Sequence, residues 1–455
     1  MVNIEDLEEL KQISETNEAL LLEKLLNFQC VEIAEFLSGL EQEKLIYFFK
    51  KLPEDILGDV FCEFNLDIQN NIYNNVTKKF FSKIFSSMPS ESRADFYKQL
   101  DAKNQVKVLP FLSKGIRDDV ISLSLYSDNT AGGIMSTDFA TLYKDMTVQE
   151  AFTKLRADAP SKKMIYYAYV VDSEMKMLGF ISLRDLILSE SNQHISDFLH
   201  ENYISATVDD DKETVASMIE KYALIAIPVL NDEKQLVGIV RYDDAISVIK
   251  EEQTEDMEKM MGIVSDNSNQ TYLETSCFQN YYKRVGWIVC LFFLGILTTL
   301  VLSHYELLLS QIPVLIPFFP MISAVGGNTG SQTSSVIIRA LSLKEIKIND
   351  CLKVIFKELQ VAFLMSFTLF IFVYCEVFVI SYFSKIKNYN PCWVAFVVGL
   401  ALFLQVVVSM ILGALLPLIV KLLNKDPAVV ASPAITTIVD VTGILIYFSI
   451  ASLLL

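Results

Sequence analysis

Two kinds of hydrophobic patterning share this chain. Up to about residue 282, apolar positions come in short bursts broken by charges. Beyond it they continue for twenty residues or more at a time. A run of that length has no polar face to turn to water and reads as a membrane span, which needs about 20 mostly apolar residues. Five spans are predicted, at 286–308, 312–340, 359–383, 391–421 and 430–454. The second and fourth are long and contain Pro or Gly, which predicts tilts or breaks. The second also has a polar interior, PMISAVGGNTGSQTSSVIIRA at 320–340. Asn328, Gln332, Ser335 and Arg339 fall at i, i+4, i+7 and i+11, one stripe along one helix. Gly326 and Gly330 form a G-x-x-x-G, which lets helix backbones approach closely. A tight helix interface with polar glue and a pore wall both fit this pattern. A phosphate-binding loop does not, because no G-K-[ST] follows.

In the first part, residues 1–125 alternate as short amphipathic helices. LPEDILGDVF at 52–61 and MPSESRADFY at 88–97 repeat one unit, each with Pro suited to a first helical turn, Asp six residues later and an aromatic eight later. The prolines are 36 residues apart, a helical-repeat spacing. A second repeat pairs LGFISLRDL at 178–186 with VGIVRYDDA at 237–245, aligning Gly179 with Gly238 and Asp185 with Asp244. Each copy reads helix, strand, turn, strand, helix, the pattern of a cystathionine β-synthase (CBS) domain pair. SVIKEEQTEDMEKMMGI at 247–263 then crowds Glu251, Glu252, Glu255, Asp256 and Glu258 into a helix just before the membrane. A solvated linker is the plain reading of such a run. Its place between an acidic domain and the spans points to a further role.

Charge sharpens the division. Of a net −17, residues 283–455 carry 11 Lys and Arg against 7 Asp and Glu, leaving 27 against 48 for residues 1–282. So acidic a soluble part repels nucleic acid and attracts cations. MVNIEDLEELKQ lacks the basic start and apolar core of a signal peptide, so the soluble part is expected in the cytoplasm. Lys283, Arg284, Arg339, Lys344, Lys347, Lys353, Lys357, Lys421 and Lys425 then fall on the cytoplasmic side, with only Lys385 and Lys387 opposite, and an odd number of spans puts the C-terminus outside. The seven cysteines form no CxxC and the three histidines no metal-spaced cluster. Acids within spans are usually functional. Glu306 and Glu376 lie near span ends, but Asp440 lies mid-span with no Lys or Arg in that span to pair with it. Ser432, Thr436 and Asp440 share one helical face, so that face must meet another helix or water. A protonated, hydrogen-bonded Asp and an ion path are both open.

These pieces in this order resemble the MgtE family of magnesium channels over nearly the whole chain. The resemblance rests on YSDNTAGGIMSTDF at 126–139, on the second CBS repeat, on GGNTGSQTSSVIIRAL, on DPAVVASP and on TTIVDVTGILIYFSIA. It implies a multidomain membrane protein and not an enzyme: an all-α helical N-terminal domain (1–125), an α/β tandem CBS pair (126–250), a connecting plug helix (251–282) and a five-helix transmembrane pore domain (283–455). It further implies a homodimer in the lipid bilayer with one pore on the two-fold axis. Asp440 matches the pore aspartate, with Ser432, Thr436, Asn328 and Gln332 lining the path. Mg²⁺ demands octahedral oxygen ligands and sheds its water reluctantly, so paired carboxylates can hold it through retained water. An inside-negative potential favours entry by about 2.3 kcal/mol per charge per 100 mV.

The family also implies regulation by the ion it carries. Cytoplasmic acids bridged by Mg²⁺ would compact the soluble part and close the pore. The matching positions are Asp211, Glu213, Asp243, Asp244, Glu252, Glu255, Asp256 and Asp426, with Glu91 and Asp95 on the N-terminal domain. Ser182 and Asp185 fit a ribose-contacting pattern, with ATP as a modulator. Ser247, Ser432 and Thr436 depart from the family pattern, which bears on the strength of the regulatory sites and on selectivity. A broader divalent transporter carrying Co²⁺ or Mn²⁺, and a membrane-bound sensor that conducts nothing, are the competing readings.

Overall fold

The computed structural model describes residues 18–158, 164–265, 272–273, 275–384, 390–429 and 432–455. MVNIEDLEELKQ and the pair Lys385 and Lys387, used above for orientation, lie outside these residues. The chain separates into two compact units, Met1–Glu252 and Gln253–Leu455.

The first unit opens with short helices, among them Leu57–Glu63, Leu66–Asn75, Lys78–Ser87 and Ser90–Gln99. Side-chain caps on Asn65 and Thr77 start two of them by accepting backbone N–H groups that have no partner within the helix. Their apolar faces meet in an aromatic cluster. Phe61 stands edge-on to Phe81 and Phe96, at 5.8 and 5.3 Å between centroids, and Tyr73 stands edge-on to Phe81 at 4.9 Å, the offset geometry aromatic quadrupoles favour. The two expected repeat prolines behave differently. Pro89 caps helix Ser90–Gln99, whereas Pro53 opens a turn closed by Ile56 N–H on its carbonyl, and the helix starts only at Leu57.

The tandem repeat forms two three-stranded sheets. One contains β1 (Phe139–Tyr143), β2 (Met164–Val171) and β3 (Met177–Ser182). The other contains β4 (Ala206–Thr207), β5 (Ala226–Leu230) and β6 (Leu236–Arg241). In each, the first pair is parallel and the hairpin antiparallel. The hairpin turns repeat in atomic detail. Asp172 and Asn231 each accept the backbone N–H two residues on, and Met175 and Lys234 each adopt φ near +60°. The matched glycines have a shared cause: a Cβ on Gly179 would lie 2.4 Å from the His200 carbonyl, and one on Gly238 2.5 Å from Met135 Sδ. The second repeat ends in α1 (Tyr242–Met260), an unbroken helix that contains the acidic run and stops at Gly262, φ +70°.

The second unit is built on long helices: α2 (Cys277–His304), α3 (Phe319–Ser342), α4 (Cys351–Ser384), α5 (Pro391–Leu422) and α6 (Ser432–Leu454). Among the described residues, α2, α4, α5 and α6 are long and apolar enough to cross a membrane; α3 has the length but not the apolarity. Its polar interior is the cause. The predicted break in the second span is present. Pro313 and Pro317 hold 313–318 in a 3₁₀ turn ahead of α3. α5 is the central helix, with Val398, Ala401, Leu402 and Val406 fully buried among α3, α4 and α6. Tyr447 on α6 donates to the Leu315 carbonyl of the 3₁₀ turn at 2.8 Å, and Trp393 at the start of α5 donates to the Leu454 carbonyl at the end of α6 at 3.0 Å.

Candidate functional site

The polar residues of α3 and α6 meet in an antiparallel seam. Ser323 donates a short hydrogen bond to the Asp440 carboxylate, and the Ser331 and Ser432 hydroxyls bond each other. Between them Gly327 leaves room for Thr436: a Cβ there would come within 2.7 Å of the Thr436 methyl and 3.9 Å of Asp440 Oδ1. Residues 323, 327 and 331 thus face 440, 436 and 432, four residues apart on each helix. Thr436 turns its hydroxyl back to the Ser432 carbonyl at 3.0 Å. Sequence reasoning placed Ser432, Thr436 and Asp440 on one face, and the structure brings that face against α3. It missed the α3 partners, whose signal is the i, i+4, i+8 spacing of small residues at 323, 327 and 331. Asn328 and Gln332 do not join the seam: they lie on an exposed face of α3. The G-x-x-x-G packs where its spacing predicts, against another helix, since a Cβ on Gly413 of α5 would lie 2.4 Å from the Gly330 carbonyl.

Outside the spans, the expected cation-binding acids are drawn to the chain's own cations. Arg241 lies between the N-terminal helices and the second repeat. It donates from Nη2 to Glu91 at 2.7 Å and from Nε and Nη2 to Asp244 at 2.9 Å, with Asp243 at 3.6 Å. Burial would push the guanidinium down, but its bonds to Asp244 and the charges of Glu91, Asp244 and Asp243 outweigh it and hold Arg241 protonated. Burial also pushes Asp244 up to about 6, with Arg241 opposing and Glu91 and Asp243 adding to it. Asp95 is pushed up to about 6 first by burial, against the pull of Lys98, and further by Asp128, Glu91 and Glu251. Lys212 contacts Glu252 at 3.1 Å and Glu251 at 3.9 Å. Lys259 on α1 spans Glu255 at 2.7 Å and Asp426 at 2.9 Å, and these two acids hold it protonated against its partial burial. Asp211 caps the helix Lys212–Tyr222 through the Thr214 N–H.

Among the described residues, no three His, Cys, Asp or Glu side chains converge on one metal position.

Ser182 and Asp185 cap one helix reciprocally. The Ser182 hydroxyl and amide bond Asp185 Oδ2 at 2.6 and 3.1 Å, and His200 Nε2 lies 3.0 Å from the same oxygen. Burial alone would raise Asp185, but Ser182 and His200 hold it below the usual carboxylate range. His200 also stacks on Phe180. A ribose would have to enter this cap by displacing its internal bonds.

Three family models match the chain: a divalent cation transporter domain (MgtE) over residues 319–450, an MgtE intracellular N domain over 28–129, and CBS domains over 131–191 and 195–251. The magnesium transporter MgtE of Bacillus subtilis is 30% identical over 96% of this chain and 98% of its own length. That of Thermus thermophilus is 34% identical over 74% and 73%. The first unit is similar to a crystal structure of the soluble part of a magnesium transporter, with 31% identity, a TM-score of 0.51, and coverage of 55% of this chain and 98% of the other. It is also similar to the cytosolic domain of the Mg²⁺ channel MgtE in complex with ATP, with 26% identity, a TM-score of 0.50, and coverage of 52% and 97%.

Proposed function

Because the chain belongs to the MgtE family of divalent cation transporters, we propose that it is a homodimeric, Mg²⁺-selective channel that admits magnesium down its electrochemical gradient and closes when cytoplasmic Mg²⁺ is plentiful. The observation that carries this reading is Asp440. It is a carboxylate in a membrane helix, answered by the Ser323 hydroxyl and by no Lys or Arg on its helix. Such a group attracts a cation and offers the hard oxygen that Mg²⁺ requires. The hydroxyls of Ser432 and Thr436 extend the same face toward the helix start.

The first unit would lie in the cytoplasm, with the basic residues flanking the spans on that side and the C-terminus outside. The acids at 91, 95, 211, 213, 243, 244, 252, 255, 256 and 426 would sense Mg²⁺, which bridges pairs of carboxylates while keeping part of its hydration shell. Bridging relieves the repulsion between like charges and so favours the compact form. ATP would act as a modulator at Ser182 and Asp185, a reading supported by the similarity to the ATP-bound relative.

The deciding experiment is Mg²⁺ uptake into liposomes holding the purified full-length chain. Wild type should take up Mg²⁺ when the lumen is low in it, and Asp440→Ala should not, with dimer formation unchanged. Equal uptake by the variant would refute Asp440 as the ion site. No uptake by wild type would favour a sensor that conducts nothing. Co²⁺ or Mn²⁺ competing on equal terms would favour the broader divalent transporter.

A further inference from the structure

Gln405 is the polar residue of α5 that the membrane reading leaves without a role. It occurs alone in the apolar run VGLALFLQVVV and is fully buried. Its Nε2 donates to the Val439 carbonyl of α6 at 2.9 Å, one residue before Asp440. The same carbonyl accepts the Thr442 hydroxyl at 3.0 Å. Two glycines make room for the amide. A Cβ on Gly326 of α3 would lie 2.5 Å from Nε2, and one on Gly443 of α6 2.6 Å from it. One turn along α5, the Ser409 hydroxyl bonds the Gly326 carbonyl and takes a bond from Thr329 at 3.2 Å. The central helix therefore grips a backbone carbonyl on each of the two seam helices, through side chains four residues apart.

The other end of the amide is informative. Gln405 Oε1 is buried and, among the described residues, has no hydrogen-bond partner. An unpaired acceptor is costly where no water reaches it. A leucine or methionine would fill the slot without that cost. What the amide adds is direction, because one N–H must point at one carbonyl.

We infer that Gln405 is a positioning residue for ion selection: it fixes the rotation and height of α6 and, through them, the angle at which Asp440 presents its carboxylate. The inference rests on the transport reading above. Mg²⁺ demands near-ideal octahedral geometry, so discrimination against a larger, more tolerant divalent ion depends on where that carboxylate points. A looser α6 would still hold a carboxylate in the path but would select less well.

The test compares Mg²⁺ and Mn²⁺ uptake in liposomes holding the full-length chain. Gln405→Met keeps the length and apolar bulk but removes the donor. Its Mg²⁺-to-Mn²⁺ uptake ratio should fall about tenfold, a loss of about 1.4 kcal/mol in discrimination, while Mg²⁺ uptake itself changes less. Gly443→Ala should lower the ratio in the same direction by pushing the amide aside. It decides the matter if the methionine variant does not fold. Gly399→Ala is the control for crowding alone, since its Cβ would meet the Phe370 ring at 2.7 Å and not Gln405. An unchanged ratio in the methionine variant, or an equal fall in the Gly399 control, would overturn the assignment. Wild-type liposomes that take up no Mg²⁺ would overturn the transport reading, and this assignment with it.

Discussion

At the scale of single residues, the two kinds of carboxylate in this chain call for different tests. Asp95 and Asp244 are pushed up to about 6 from 3.8, so each binds its proton more tightly in the folded chain than in the unfolded one. Their contribution to stability is therefore fully present below about pH 3.8 and is lost as the pH rises through about 6. Protons and Mg²⁺ should then compete. Lowering the pH from 7.5 to 5.5 should raise the Mg²⁺ concentration needed for half-maximal protection from protease, and Asp95→Asn should reduce that shift. Arg241 is the mostly buried cation that Glu91 and Asp244 share. Arg241→Gln should cost about 3 kcal/mol, measured as a lower denaturant midpoint for the first unit within the full chain. Asp440 stood out in the sequence because an acid in the middle of an apolar run is rare. Gln405 was not, because one amide in a long span has no periodicity to reveal it. Nor did the sequence reveal the lysines and arginine that hold the acids: Lys212, Arg241 and Lys259 reach partners between 3 and 167 positions away.

At the scale of elements, close approach is the governing constraint. α3 and α5 pass so near that Gly413 has the Gly330 backbone where its side chain would be. Gly413→Ala should destabilise the second unit by about 1–3 kcal/mol through overpacking, seen as a lower melting temperature in detergent. Gly295→Ala on α2, where a Cβ meets open space, should not. The spans were read from length and apolarity, and their ends moved by up to nine residues at the start of α2 and eight at the start of α4. Helices that leave the membrane can continue through charged residues such as Lys283, Arg284, Lys353 and Lys357, so apolarity marks the bilayer and not the helix. In α3 two stripes do different things, and the one that packs on α6 is the less conspicuous. Asn328 and Gln332 stay on an exposed face, while small residues at 323, 327 and 331 form the contact with α6.

At the scale of the whole molecule, the order of modules was plain from repeats and charge, because each module has its own period. How its acids are satisfied was not. Mg²⁺ at millimolar levels should protect residues 247–263 from proteolysis, and neutralising Glu252, Glu255 and Asp256 together should weaken that protection. Unchanged protection would make α1 a plain linker. Lys259→Gln should reduce the protection that persists in chelator. That last expectation follows from the single ammonium between Glu255 and Asp426. A cation attached to the chain has a concentration that no change in the cell can lower. If the pore closes by the Mg²⁺ bridging proposed above, this ammonium supplies a constant share of the closing force, and only the remainder varies with free Mg²⁺. The response curve of this protein should therefore begin above zero and rise less steeply than one built from carboxylates alone.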